Sequence, residues 1–283
     1  MTIQYQAVAE LPLQKTGAIP LSDVEFKKFQ QLIYSSAGIS LSDAKRSLVS
    51  GRLLKRLRHH EFINFSHYLK LLENDGAEMQ IMVNLLTTNE TYFFREPAHF
   101  DFLAKSVLPQ YDQHYPLEIW SAACSSGEEV YTLAMVLAET RGTNGNWRVT
   151  GSDISTRVLE KAEGGHYPMS HTRGLPVNYL KAYCLKGVRN YANTFMVVPE
   201  LRAQTRFLQV NLNATLPNIG QFDVIFLRNV MIYFDIETKR KVVARLVDKL
   251  KPGGYLIVGH AETLHGIAGP LQQLRPTIYQ LPK

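Results

Sequence analysis

The stretch Glu118-Ile-Trp-Ser-Ala-Ala-Cys-Ser-Ser-Gly-Glu-Glu-Val-Tyr131 decides the fold of this chain. A short apolar run leads into a turn of small residues, and an apolar pattern at helical spacing follows, with two acids in its first turn. This order predicts a strand, a tight loop and a helix, which is how an α/β fold begins a nucleotide site. Residues 121–127 carry little side-chain bulk, so a ligand can approach their backbone closely.

Two acids, Glu128 and Glu129, stand where a phosphate would otherwise bind at the helix N-terminus. Two carboxylates would repel a pyrophosphate, so we expect a nucleoside that lacks phosphate and carries positive charge. We expect Glu129 to face this ligand and Glu128 to face solvent. The loop also lacks the G-x-G-x-x-G pattern, which disfavours a dinucleotide dehydrogenase.

Composition is that of a globular protein with room for two domains, because 283 residues carry 45% hydrophobic and 20% charged side chains. A net charge of +6 suggests an acidic partner surface without requiring nucleic acid. Cys124 and Cys184 have no disulfide or metal spacing. With no leader or membrane-length segment, we expect a cytoplasmic protein with a flexible tail over residues 1–20.

The first part of the chain predicts an all-α N-terminal domain over residues 21–86. Ser22-Asp-Val-Glu25 is a capping-box pattern that opens a first helix, and Gly38 ends it. The second helix, from about Asp43, places apolar residues on one arc and basic residues on the other. We expect the basic face to dock an acidic partner, while a merely solvated face is the alternative. Its basic residues are Lys45, Arg46, Arg52, Lys55, Arg56 and Arg58.

The remainder, residues 87–283, alternates strands and helices and predicts a mostly parallel sheet. Strands are predicted at 147–153, 222–229 and 255–259, with a last edge strand in 272–280. We expect a helix from about Glu237 to Leu250, ended by Lys251-Pro-Gly-Gly254. An irregular stretch with two short β-like pieces predicts a small β subdomain inserted at about 166–210.

Polar residues follow three predicted strands and should converge in one crevice. They are Glu129 after the first strand, Asp153 at the end of the second, and Arg228-Asn229 at the end of a third. An acid at the end of the second strand is the position that binds ribose hydroxyls in Rossmann-type folds. We therefore expect a nucleoside site at the carboxyl edge of this sheet.

Five stretches carry a resemblance to a known family: Thr87-Thr-Asn-Glu-Thr-Tyr-Phe-Phe-Arg-Glu96, Trp120-Ser-Ala-Ala-Cys-Ser-Ser-Gly-Glu-Glu129, Ser152-Asp-Ile154, Arg228-Asn-Val-Met-Ile-Tyr-Phe234 and Lys251-Pro-Gly-Gly-Tyr-Leu256. On these motifs the chain, from about Leu21 to its C-terminus, resembles the bacterial chemotaxis receptor methyltransferases, the CheR family. The resemblance implies an all-α N-terminal domain before a Rossmann-like α/β methyltransferase domain with a small inserted β subdomain. It also implies transfer of methyl from S-adenosylmethionine to glutamate side chains of chemoreceptors, with S-adenosylhomocysteine as the product.

The same resemblance assigns site residues, motif by motif. Arg95 and Tyr233 would lie nearest the reacting groups. The cofactor would be bound by Asn89, Thr91, Arg95, Ala122, Glu129, Asp153, Asn211, Leu212, Arg228 and Asn229. The basic helix would dock the acidic cytoplasmic helices of the receptor. We expect a monomer that needs no metal, binds no nucleic acid and does not insert into the membrane.

The chemistry fits these residue types, because a receptor glutamate is already ionised at neutral pH and needs no general base. Catalysis then rests on in-line alignment and on removal of water from the reacting pair. A nucleic-acid methyltransferase is disfavoured, since no double proline follows Asn229 and no RNA-binding signature is found. A module that binds the cofactor without catalysis remains an alternative.

Overall fold

A computed structural model describes residues 19–283 of the chain. The predicted tail over residues 1–20 therefore falls almost wholly outside the described residues. Four helices come first: α1 (Asp23–Ala37), α2 (Arg46–His59), α3 (Phe65–Leu72) and α4 (Gly76–Leu86). They form the helical domain.

The predicted ends of α1 are confirmed in detail. The Ser22 hydroxyl accepts a hydrogen bond from the Glu25 backbone N–H, and the Glu25 carboxylate accepts one from the Ser22 N–H at 3.0 Å. Gly38 follows the helix with φ of +71°, a left-handed conformation that glycine adopts without strain. The capping box and the glycine therefore fix both ends of this helix.

A seven-stranded sheet forms the centre of the α/β domain, in the order β6-β2-β1-β7-β8-β10-β9. The first five strands in this order are parallel, and β10 and β9 add an antiparallel hairpin at one edge. The strands are β1 (Leu117–Ser121), β2 (Trp147–Asp153), β6 (Thr205–Gln209), β7 (Phe222–Leu227), β8 (Leu250–Val258), β9 (Gln272–Arg275) and β10 (Ile278–Gln280).

Helices connect these strands, as the alternating pattern predicts. A short helix α5 continues as a single π-helical turn over Leu103–Val107 before the first strand. The helices are α5 (Ala98–Phe102), α6 (Glu128–Arg141), α7 (Thr156–Gly164), α8 (Val177–Tyr183), α9 (Pro199–Ala203) and α10 (Ile236–Val247). The Rossmann-like architecture with an all-α domain before it is therefore confirmed.

The small inserted sheet is shorter than the sequence predicts. It contains β3 (His166–Pro168), β5 (Thr194–Val197) and β4 (Cys184–Lys186), all antiparallel. The predicted end near residue 210 is wrong, because β6 pairs in parallel with β2 and belongs to the large sheet.

Two further details differ from prediction at the C-terminal edge of the sheet. Helix α10 ends at Val247, and residues 251–254 already belong to strand β8, where the register against β7 shifts. The glycines thus accommodate a bulge within the strand. The tail forms a hairpin of two strands where one was expected, since Thr277 adopts a φ of +66° that reverses the chain.

The hydrophobic core lies on both faces of the sheet because side chains of a strand alternate between faces. On one face, Trp120 and Ile225 share a single core with helical-domain residues such as Phe29 and Val49. On the other face, Ile119 packs with helix α6 and the small sheet. The helical domain therefore covers one face of the large sheet, beside the carboxyl ends of its strands.

Candidate functional site

A cavity of about 470 Å³ opens at the carboxyl ends of β1, β2 and β7, against the helical domain. It is lined by every residue predicted to bind the cofactor, and also by Tyr233. These residues are Asn89, Thr91, Arg95, Ala122, Glu129, Asp153, Asn211, Leu212, Arg228 and Asn229. The fold therefore brings together side chains that lie up to 140 positions apart, counted from 89 to 229.

The loop between β1 and α6 forms one side of the cavity. Ser125 adopts a left-handed φ of +50°, and its hydroxyl donates to the Asn89 backbone oxygen at 3.0 Å. Gly127 has a φ of +94°, and a Cβ there would lie 2.8 Å from the Ala162 Cβ. Only glycine fits this position, because both the backbone angle and the neighbouring helix exclude a side chain. The loop thus approaches α7 closely and leaves its backbone open to the cavity.

Asp153 ends β2 and is held by backbone amides. One carboxylate oxygen accepts from the Ser125 N–H and the other from the Ser155 N–H, both at 2.9 Å. Burial raises the pKa of this carboxyl, although these backbone donors favour its charged form. The side chain is therefore fixed at the point where ribose hydroxyls bind in Rossmann-type folds.

Arg228 is the centre of an ion-pair network at the end of β7. Its guanidinium contacts the Glu129 carboxylate at 2.6 Å and the Glu96 carboxylate at 2.9 Å, with 2% of its side chain exposed. Ser121 donates a further hydrogen bond to Glu129 at 2.7 Å. Burial opposes the charge on Glu96, but Arg228 outweighs it and holds the pKa of that carboxyl below its usual range. The network fixes the Glu129 carboxylate within the cavity wall.

The expectation that Glu128 faces solvent is wrong. This side chain is fully buried, and its carboxylate accepts a hydrogen bond from Ser126 at 2.7 Å. The ring of His171, from the inserted segment, lies 3.1 Å from the other oxygen. Helix α6 therefore turns Glu128 towards the small β subdomain and Glu129 towards the cavity.

Two acids that the sequence does not single out support the site from behind. Glu262 accepts from the backbone N–H groups of Asn229, Met231 and Gly259, each at 2.8 Å. It thereby holds Asn229 at its left-handed φ of +58°. Glu96 bonds the Asn229 side chain at 3.2 Å. Neither acid sits at a predicted strand end, and neither was assigned a role, although Glu96 is the last residue of the first family motif.

Arg95 and Tyr233 both line the cavity and are partly exposed. The Arg95 guanidinium donates to the Glu90 backbone oxygen at 2.9 Å and lies 5.9 Å from the centre of the Tyr92 ring. Burial raises the pKa of Tyr233, so its hydroxyl keeps its proton at neutral pH. A cation and a hydroxyl donor are therefore available at the same cavity.

The helical domain supplies a second wall that the sequence did not predict. Its lining residues come from the end of α1, the segment between α1 and α2, the start of α2 and the end of α4. The segment after α1 pairs with the segment after β7 through an isolated bridge between Ile39 and Phe234, and the Ser40 N–H donates to the Tyr233 backbone oxygen at 2.8 Å. This wall consists of Ala37, Ile39, Ser40, Leu41, Ser42, Lys45, Leu48 and Leu86.

The basic residues predicted on the second helix do not share one environment, and Lys45 lies in a short turn just before α2. Lys55 and Arg58 are exposed, and Lys45 is exposed beside the cavity. Arg46 pairs with Asp23. Arg56 forms two hydrogen bonds with Glu78, which is 3% exposed. Arg52 donates to backbone oxygens at the end of α4.

The wall chemistry fits a positively charged adenosine derivative. Asp153 suits ribose hydroxyls, the apolar residues Ile154 and Leu212 suit a purine ring, and Glu129 offers negative charge. The Arg228 Nε atom is buried with no hydrogen-bond partner among the described residues. Side-chain atoms of Glu96, His99 and His260 that could bind a metal lie within 4.8 Å of one another. Because the Glu96 carboxylate is already paired with the Arg228 guanidinium, we assign no metal to this cluster.

Comparison with protein families identifies the family of this chain. Residues 89–279 match the CheR methyltransferase SAM-binding domain, and residues 24–87 match the CheR methyltransferase all-alpha domain. The chain belongs to the CheR methyltransferase family. This family member is 43% identical to the chemotaxis protein methyltransferase of Escherichia coli strain K12, over 96% of each chain. It is 39% identical to chemotaxis protein methyltransferase 2 of Pseudomonas aeruginosa, over 90% of this chain and 92% of that one.

The family assignment confirms the enzyme class and the cofactor that the sequence motifs predicted. The chain is a methyltransferase that uses S-adenosylmethionine. Within residues 19–283, no helix combines the length and the apolar character needed to cross a bilayer.

Proposed function

We propose that this methyltransferase esterifies glutamate side chains on the cytoplasmic helices of chemoreceptors. The observation that carries the proposal is that one cavity combines the cofactor motifs with Arg95 and Tyr233, two groups suited to a carboxylate. The relatives named above are chemotaxis methyltransferases, which supports an acceptor among chemotaxis proteins.

The reaction needs a methyl donor and a carboxylate nucleophile. The cofactor supplies a methyl group on a positively charged sulfur. A glutamate carboxylate attacks that methyl carbon in line, the carbon–sulfur bond breaks, and a neutral ester and a thioether result. Glutamate has an ordinary pKa of about 4.3, so it is ionised at neutral pH without a general base.

Arg95 and Tyr233 position the acceptor. Arg95 is held by the Glu90 carbonyl, and its fork of donors can orient an incoming carboxylate. Tyr233 is held through its backbone oxygen by Ser40 and can donate its hydroxyl proton in a hydrogen bond to the same carboxylate. Two donors that orient without transferring a proton leave the carboxylate nucleophilic, and the cavity walls exclude water around it.

The exposed cations of α2 and of the turn before it would face an approaching acidic receptor helix. Lys45 lines the cavity itself, and Lys55 and Arg58 continue the basic surface along the helix. Opposite charges would steer the receptor and set its register. A cytoplasmic monomer that acts on the cytoplasmic helices of chemoreceptors is the form we propose.

Labelled methyl donor and receptor-enriched membranes test this function. We expect base-labile label on the receptor, with glutamate methyl esters in its cytoplasmic helices. Label on nucleic acid would contradict the proposal. Cofactor binding without any transfer would instead identify a non-catalytic module.

The positioning roles are tested by Arg95→Lys and Tyr233→Phe. Each change should lower turnover more than affinity for S-adenosylhomocysteine, because the groups act on the carboxylate. Loss of cofactor affinity with unchanged turnover at saturation would make them cofactor-binding residues only.

A further inference from the structure

Arg52 lies on the second helix, but its charged group faces the interior of the molecule. One guanidinium nitrogen donates to the backbone oxygens of Leu85, Leu86 and Thr87, at 3.2, 3.0 and 3.0 Å. The other donates to the Thr88 hydroxyl at 3.1 Å. These acceptors are the last carbonyls of α4 and the first two residues of the segment that enters the cavity.

The segment held by Arg52 continues directly into the proposed cofactor residues. Thr87, Thr88 and Asn89 all line the cavity. The Thr87 hydroxyl donates to the Asn89 side-chain oxygen at 3.1 Å. On the other side, Ser125 of the loop after β1 bonds the Asn89 backbone oxygen at 3.0 Å. Asn89 is thus fixed between the helical domain and the small-residue loop.

We infer that Arg52 is a positioning residue for cofactor binding, acting through residues 87–89 and not through contact with the receptor. Its four hydrogen bonds span the point where the helical domain meets the α/β domain. A planar guanidinium has two terminal nitrogens, so one can contact the α4 carbonyls while the other contacts Thr88, which the single nitrogen of a lysine ammonium cannot reproduce in the same geometry. The inference rests on the proposed role of Asn89 in the cofactor site.

Two simpler roles for Arg52 make different predictions. A receptor contact would depend on charge, so a lysine would preserve it and cofactor affinity would not change. A plain helix cap would stabilise α4 as any cation near a helix C-terminus does, so its loss would lower the melting temperature alone. If Arg52 positions residues 87–89, its folded variants should bind the cofactor more weakly than the original protein, even when no receptor is present.

The test measures binding of S-adenosylhomocysteine by calorimetry to the full chain without receptor. We expect Arg52→Ala and Arg52→Lys each to weaken binding by about tenfold or more, since displaced ligand contacts are costly even for small shifts. Thr88→Val removes one of the four hydrogen bonds and should weaken binding by about two- to threefold. Lys55→Ala and Arg58→Ala, on the exposed side of the same helix, are matched controls that should bind normally.

Asn89→Ala separates failure of this inference from failure of the site assignment. If Asn89→Ala leaves affinity unchanged, the proposed role of Asn89 falls, and the inference falls with it. If Asn89→Ala weakens binding while both Arg52 variants, folded at the assay temperature, bind normally, only the inference is overturned. Should Arg52→Ala not fold, Arg52→Lys and Thr88→Val carry the same test.

Discussion

The two walls of the cavity differ in how they are built. The α/β wall consists of short motifs at strand ends, where Glu129, Asp153 and Arg228 are placed by the topology of a parallel sheet. The helical wall consists of scattered residues such as Ile39 and Leu48, which reach the cavity because a β-bridge and shared core packing hold the domain in place. The first wall can be predicted from local sequence, whereas the second depends on tertiary contacts.

The largest effect should come from the α/β wall, at Arg228. Arg228→Ala leaves Glu96 and Glu129 without their common cation, and loss of one partner of a buried ion pair costs about 3–5 kcal/mol. Urea unfolding should show this loss, and S-adenosylhomocysteine binding should disappear. Arg228→Lys keeps the positive charge and should lose less stability and less cofactor affinity. An Arg228→Ala protein with normal stability and affinity would refute the network as the centre of the site.

The neighbouring acids of helix α6 form a matched pair. Glu129→Gln should weaken cofactor binding by about 10- to 100-fold, as expected for loss of a charge-assisted contact. Glu128→Gln should instead reduce the free energy of unfolding by about 1–3 kcal/mol, because its contacts with Ser126 and His171 are structural. Calorimetry and denaturant titration on both variants separate the two roles. Equal effects on affinity would contradict the assignment.

Acid should destabilise the protein through His99, which lies next to Glu96 behind the α/β wall. Burial lowers the pKa of His99, next to Glu96, to about 4 from 6.5. As the pH falls, His99 is therefore protonated at a higher pH in the unfolded chain than in the folded protein. The stability that neutral His99 provides is full above pH 6.5 and falls as the pH drops towards 4. Between pH 7 and pH 5 the loss should be about 2 kcal/mol.

Urea unfolding at both pH values measures this loss. His99→Gln should reduce the pH dependence. In the helical domain, burial opposes the charge on Glu78, but hydrogen bonds, chiefly from Arg56, hold the pKa of its carboxyl below the ordinary value of 4.5. The stability that charged Glu78 provides therefore persists to lower pH. An unaltered pH dependence in His99→Gln would remove this histidine from the explanation.

The smallest effect is expected on the helical wall. Leu48 lines the cavity, whereas the next residue, Val49, is fully buried in the core. Leu48→Ala should weaken cofactor binding by about three- to tenfold, through lost apolar contact. Val49→Ala should instead cost about 2 kcal/mol of stability with normal affinity. If Leu48→Ala affects stability alone, the helical wall does not contact the cofactor.

Sequence motifs predicted the α/β wall because chemistry and topology coincide there. Glu129, Asp153 and Asn229 each follow a strand, and parallel strands end at one edge. The prediction was wrong for Glu128, because adjacent residues on a helix point about 100° apart, and the inserted segment that covers this side is not visible in the local pattern.

The basic face of α2 shows the limit of helical periodicity. The pattern separated the core residues Val49, Leu53 and Leu57 from the charged arc. It could not show that Arg52 and Arg56 lie at the border of that arc and are bound by residues 22 to 36 positions further along the chain. Long side chains at such borders can turn either way, and only the tertiary structure decides.

A crystal structure of the enzyme with S-adenosylhomocysteine tests the central claim most directly. The claim is that both walls, together, bind the cofactor. We predict product in the cavity, in contact with Glu129 and Asp153 on one side and with residues of the 37–48 segment on the other. Product bound against the α/β wall alone, with the helical segment untouched, or bound outside this cavity, would contradict it.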